Sequence, residues 1–136
     1  MTGVKPMDDR TQLARSNAGM RLVAQMTFFN KAEFDRLHGF ISESYTEQAL
    51  TDQPAADRLA VLQALSQTAG KLRVYQVLAI DKHKAVVLMQ AQADESFQYV
   101  ELAVEEDYPH KISQFTLERM IEAPSASPDE NKDLDV

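Results

Sequence analysis

Gly70-Lys71-Leu72-Arg73-Val74-Tyr75-Gln76-Val77-Leu78-Ala79-Ile80-Asp81-Lys82-His83-Lys84-Ala85-Val86-Val87-Leu88-Met89 is the stretch in which the chain changes its period. Upstream of it, apolar residues recur every three or four positions; from Leu72 onward they alternate. Alternation marks a half-buried strand, because successive strand side chains point to opposite faces. Asp81-Lys82-His83 and Asp94-Glu95-Ser96 are polar breaks of hairpin length. A longer break, Glu106-Asp107-Tyr108-Pro109-His110, carries a proline. The spacing predicts strands near Leu72–Ile80, Lys84–Ala93, Phe97–Glu105 and Lys111–Ile121. Connections this short force neighbouring strands to pair antiparallel, which makes a four-stranded meander.

Working back from Gly70, the pattern predicts three helices. Leu59, Leu62 and Leu65 form the stripe of one that begins near Asp52 and Pro54 and stops at Gly70. Phe34, Leu37, His38, Ile41 and Tyr45 share one face of another, over about Lys31–Gln48, with Gly39 inside it. Leu13, Leu22, Met26 and Phe29 mark the first, over about Thr11–Phe29, with Asn30 as its stop or as the cap of the next. The expected fold class is α+β, ordered α-α-α-β-β-β-β, with the helices covering one face of the sheet.

Both faces of that sheet are apolar by strand parity. One carries Leu72, Val74, Leu78, Ile80, Val86, Leu88, Val100, Leu102 and Val104; the other carries Tyr75, Val77, Ala79, Ala85, Val87, Met89, Ala91, Phe97 and Tyr99. Helices can cover only one. A second copy of the sheet is the simplest cover for the other, so the expected homodimer interface holds Tyr75, Val77, Val87, Met89 and Tyr99. A monomer with a moderately apolar surface is the alternative.

Length and charge narrow the classes. The 136 residues, with 44% hydrophobic and 26% charged, suit one globular domain. Cysteine is absent, which removes disulfides, thiolate metal sites and a cysteine nucleophile. The net charge of -7 disfavours a nucleic acid partner. Residues 122–136 hold Glu122, Asp129, Glu130, Asp133 and Asp135 against Lys132, so that segment carries over half of the net charge. Its prolines and small polar residues predict a disordered acidic tail, 1–10 a flexible N-terminus, and 11–121 a single domain. Residues 1–10 lack the apolar core of a secretory signal, and the longest apolar run, Ala85–Met89, is far too short to span a membrane. The expected location is the cytoplasm, with no membrane partner.

Two helices, a short polar connection, a third helix ending in glycine and a four-stranded meander together resemble a known superfamily, and three passages narrow the likeness within it. They are Phe28-Phe29-Asn30 leading to Phe34, Arg58-Leu59 through Gly70-Lys71-Leu72, and Tyr108-Pro109-His110-Lys111-Ile112. The chain resembles the nuclear transport factor 2-like (cystatin-like cone) superfamily over about residues 12–121. Within it, the nearest likeness is to the accessory domain beside bacterial serine hydrolases and tail-specific proteases. That resemblance implies a curved sheet wrapped around a long helix, enclosing a cone-shaped cavity. It implies no single reaction, because the fold hosts isomerases, dehydratases, transport factors and dimerisation modules.

Enzymes of that superfamily, such as ketosteroid isomerase and scytalone dehydratase, place Asp, Tyr or His in the cone. Here His38 and Tyr45 are the corresponding catalytic candidates, weighed against a packed structural role. Gln76, Gln90, Gln98 and Gln114 (with Gln92) would line a pocket if their parity faces the cone; otherwise they reach solvent. Glutamine orients a ligand but does not titrate. Glu101, beside Tyr99, suits a cross-strand pair with Arg73 better than catalysis. Asp57 and Arg58 fit the first turns of a helix, where an acid complements the dipole. His38, His83 and His110 show no metal-ligand spacing, there is no G-x-S-x-G elbow, and no cofactor is expected.

The expected function is a non-catalytic association or small-ligand-binding module, a homodimer through its sheet, with an apolar small molecule as the ligand. The alternative is a small isomerase, dehydratase or hydrolase using His38 and Tyr45. A third reading is an accessory subunit for a separately encoded enzyme.

Overall fold

A computed structural model describes residues 9–120. Of the segment 1–10, residues 1–8 lie outside that range and the first helix starts at Asp9; the tail 122–136 lies outside it as well. The helices are α1 (Asp9–Ala14), α2 (Asn17–Asn30), α3 (Phe34–Ser44), α4 (Glu47–Asp52) and α5 (Ala55–Ala69). The strands are β1 (Leu72–Ile80), β2 (Lys84–Ala91), β3 (Phe97–Val104) and β4 (Ile112–Arg119).

Five helices stand where three were expected, and both extra breaks fall at a capping hydroxyl. Ser16 Oγ accepts from the Gly19 N–H at 3.0 Å, starting α2, and donates to the Asp81 carbonyl at 2.6 Å. Thr46 Oγ1 accepts from the Ala49 N–H at 3.1 Å, starting α4. Serine and threonine compete for backbone groups, so they favour such starts over helix interiors. The α1–α2 corner also needs Gly19, because a Cβ there would lie 2.2 Å from the Leu13 carbonyl oxygen.

The strands form one antiparallel sheet in the order β1-β2-β3-β4. It is open, with β1 and β4 as edges, and it neither closes nor curls into a cone. That corrects the expected cone-shaped domain. The helices lie as a layer on one face instead: α2 packs across β1, β2 and β3, while α1 meets β1 and α4 meets β4. Between α3 and α4 the chain runs extended at Tyr45, which bridges in parallel to Ile112, and the Thr46 N–H donates to the Ile112 carbonyl at 2.9 Å.

Two irregularities in β1 reset its parity. Val74 pairs with Met89 and Gln76 with Leu88, leaving Tyr75 as an extra residue; Val77 pairs with Val87 and Ala79 with Val86, leaving Leu78 extra. Each bulge swings the following residues to the other side. Leu72, Val74, Val77 and Ile80 therefore face the helices, opposite Ala91, Met89, Val87 and Ala85. They join Leu22, Met26, Phe29, Leu37, Ile41, Val100, Leu102 and Ile112 in the core or packed against it.

Candidate functional site

Two regions carry chemistry beyond the core. The first is the sheet face that the helices leave uncovered. Register places Arg73, Gln76 and Ala79 of β1, Lys84, Val86, Leu88 and Gln90 of β2, Phe97, Tyr99, Glu101 and Ala103 of β3, and Gln114, Thr116 and Glu118 of β4 on it. Val86 and Leu88 are buried there, yet stand apart from the helix-side core. Around them, Tyr75 is 48% and Leu78 46% exposed, and the Tyr75 ring meets the Phe97 ring edge-on at 4.9 Å. A short polar chain crosses the face: Lys84 Nζ lies 3.1 Å from Glu101 Oε2, and the Tyr99 hydroxyl donates to Glu101 Oε1 at 3.0 Å. The hydrogen-bonded ammonium of Lys84, then the Tyr99 hydroxyl, hold the Glu101 carboxyl below the usual carboxylate range. Glu101 thus pairs with Lys84; Arg73 instead hydrogen-bonds Gln90.

The second region is a half-open cleft of about 280 Å³ between α5 and the free edge of β4. Leu62, Leu65, Phe115 and Leu117 form its apolar lining, Val61 stands on it from α5, and Tyr45 and Arg58 lie together within it. Tyr45 is 1% exposed. Its hydroxyl donates to Gln25 Oε1 at 2.6 Å. Desolvation pushes this phenol well above its ordinary range, against the opposing pull of Arg58. It therefore stays neutral, able to donate a hydrogen bond but unable to serve as a base near neutral pH. The Arg58 guanidinium sits 4.8 Å over the Tyr45 ring. Its Nε donates to the Gln53 carbonyl and its Nη2 to the Ala49 carbonyl, both at 2.7 Å.

No family model matches this chain, and neither the curated proteins nor the solved structures contain a match.

The geometry separates the residues singled out in the sequence. His38 is exposed on α3 and lines none of the described clefts, so it does not meet Tyr45 in a pocket. Gln76 and Gln114 are exposed and Gln90 half-buried, all on the uncovered face, whereas Gln98 is buried on the helix side. The four glutamines therefore do not converge on one pocket. Of the expected interface residues, Tyr75 and Tyr99 do lie on or beside the uncovered face. Val87 and Met89 are buried and Val77 is packed on the core, all under the helices. The β1 bulges account for Val77; for Val87 and Met89, α2 covers the parity that the sequence pattern assigned to the partner. His83 and His110 come together, their ring centroids 5.7 Å apart, but among the described residues no three His, Cys, Asp or Glu side chains gather as a metal site.

Gln25 and Arg58 are the site residues that sequence reasoning missed. Gln25 is fully buried, three positions after Leu22 and four before Phe29, and that place on an apolar stripe was the available signal. Arg58 looked sufficiently explained by its helix turn.

Proposed function

We propose that this chain is a non-catalytic association module that pairs with a second copy of itself through the uncovered sheet face. The observation that carries the reading is the patch of Tyr75 and Leu78, each about half exposed, around Val86 and Leu88. Among the described residues no helix lies over it. Apolar side chains gathered on one face gain most from burial against a matching surface.

A second copy suits this face because its charges complement themselves. Arg73 sits on β1, and Glu118 sits across the sheet on β4. A twofold axis running along the strands lays β1 of one copy over β4 of the other, which sets Arg73 near Glu118 of the partner subunit. Among the described residues no helix is long and apolar enough to cross a membrane. The reading takes the module as cytoplasmic.

Sedimentation of the full chain at micromolar concentration tests this. A species of twice 15.3 kDa is expected, and Leu78→Glu should reduce it to one chain with unchanged circular dichroism. A wild-type monomer, or a dimer indifferent to both Leu78→Glu and Tyr75→Asp, would overturn it.

A further inference from the structure

We infer that the cleft between α5 and β4 is a binding site for a small monocarboxylate with a compact apolar body, its carboxylate held by Arg58. Three observations converge on that chemistry. First, among the described residues Arg58 is a charge without a counter-ion. The ion pairs among the described residues are Arg36–Glu33, Lys84–Glu101 and Arg119–Asp94, and Arg58 is in none of them. Its hydrogen bonds go to two neutral carbonyls, and its underside lies on an aromatic face. A half-buried guanidinium left in this state is more weakly solvated than a surface one, so an incoming anion meets a stronger field than at the surface. The same anchors fix the guanidinium in place before any ligand arrives, so little side-chain freedom is lost on binding.

Second, the space beside it is apolar and small. Leu62 is buried, Leu65, Phe115 and Leu117 are half-buried, and Val61 is 58% exposed at the lip. A volume of about 280 Å³ lies just under the roughly 300–1,000 Å³ of small-molecule pockets, which limits the occupant to a short chain or a single ring. Third, the wall formed by β4 is an open sheet edge. The chain covers that edge at Ile112 through Tyr45 and Thr46 and then turns away into α4. Among the described residues no backbone group from outside the sheet reaches Phe115 or Leu117. Among the described residues, main-chain donors at this edge therefore have no partner beside the carboxylate position. Arg58 is the one cation among the described lining residues, so a second carboxylate would find no partner there, which favours a monocarboxylate over a dicarboxylate.

The test is a titration of the full ¹⁵N-labelled chain with octanoate, octanol and octylamine, followed by nuclear magnetic resonance. Octanoate should give saturable shifts confined to Arg58 Nε–H and to the amides of Val61, Leu62, Phe115 and Leu117. Octanol should bind at least tenfold more weakly, and octylamine should give no saturable shift. Val61→Asp puts an acid at an exposed position on the lip and should weaken octanoate at least tenfold without disturbing the fold. Arg58→Gln should erase the preference of octanoate over octanol; because Arg58 also ties α4 to α5, its melting curve is recorded beside it. Equal affinity for octanoate and octanol, octanoate binding unaltered in Val61→Asp, shifts spread over the uncovered face, or no saturation below 10 mM (roughly 3 kcal/mol of affinity) would each overturn the inference. The dimer can fail its own test with this result unchanged, since the two readouts are separate.

Discussion

Asn30 grips the first residue of the sheet, Leu72, with both atoms of its side-chain amide. Its Nδ2 donates to the Leu72 carbonyl at 2.8 Å, and its Oδ1 accepts from the Leu72 N–H at 2.9 Å. The amide stands in for a neighbouring strand at an edge that has none, and it ties the end of α2 to the start of β1. Each bond contributes a net ~1 kcal/mol, so Asn30→Ala should cost about 2 kcal/mol in urea unfolding. Asn30→Asp keeps the acceptor alone and should fall between. Hydrogen exchange at the Leu72 amide should accelerate in both; an unchanged rate would mean the grip is absent in solution.

Gly19 and Gly39 both lie within helices, and they should respond oppositely to alanine. At Gly19 the new Cβ would meet the Leu13 backbone at 2.2 Å, so α1 must move; a loss of at least about 2 kcal/mol is expected. At Gly39 the nearest atom is a flexible Glu43 oxygen at 4.0 Å, so Gly39→Ala should gain up to ~1 kcal/mol from helix propensity alone. Thermal melts of the two variants side by side check the pair.

Tyr45 and Gln25 form a buried polar contact that is incompletely satisfied, since Gln25 Nε2 has no partner among the described residues. Tyr45→Phe leaves the other atom of the same amide unpaired too, and should cost about 1–3 kcal/mol. Replacing both polar groups removes the problem, so Gln25→Leu with Tyr45→Phe should be markedly more stable than Tyr45→Phe alone. A double variant no better than the single would show that water satisfies the amide.

Glu101 should shape the acid limb of stability. Its folded-state pKa is lowered by Lys84 and Tyr99, so the unfolded chain binds the proton more readily. The stabilisation is then fully present above the ordinary carboxylate pKa of 4.5 and is lost as pH falls through the lower folded value. Asp94, lowered by Ser96 and Arg119, acts in the same direction. Glu101→Gln should flatten, without abolishing, the fall in melting temperature between about pH 6 and pH 3. An identical slope in wild type and variant would refute the assignment.

Much of this molecule is legible in local pattern. The change of period at Leu72 marks where helices give way to strands, and the breaks at Asp81–His83 and Asp94–Ser96 set an antiparallel meander. Those features depend on residues close in sequence, and local sterics suffice to write them. The stripe that holds Tyr45 also predicted its burial. Two helix breaks escaped because Ser16 and Thr46 each cap a helix through one local bond, to the N–H groups of Gly19 and Ala49, and a single hydroxyl leaves the spacing of the apolar residues around it uninterrupted.

The composition of the site belonged to tertiary structure. Strand parity in β1 reads as uninterrupted alternation, yet pairing with β2 inserts Tyr75 and Leu78 as extra residues and turns Val77 inward. A bulge is a property of two strands in register, so one strand's sequence does not reveal it. The cleft likewise needs α5 laid beside the edge of β4, and Arg58 gains its meaning there from Tyr45 beneath it. Sequence by itself determined that helices precede a four-stranded antiparallel meander, and that apolar residues are in surplus on its strands. Which face that surplus occupies, and where Arg58 meets an apolar hollow, was decided by long-range packing, because only packing removes water from one side and leaves it on the other.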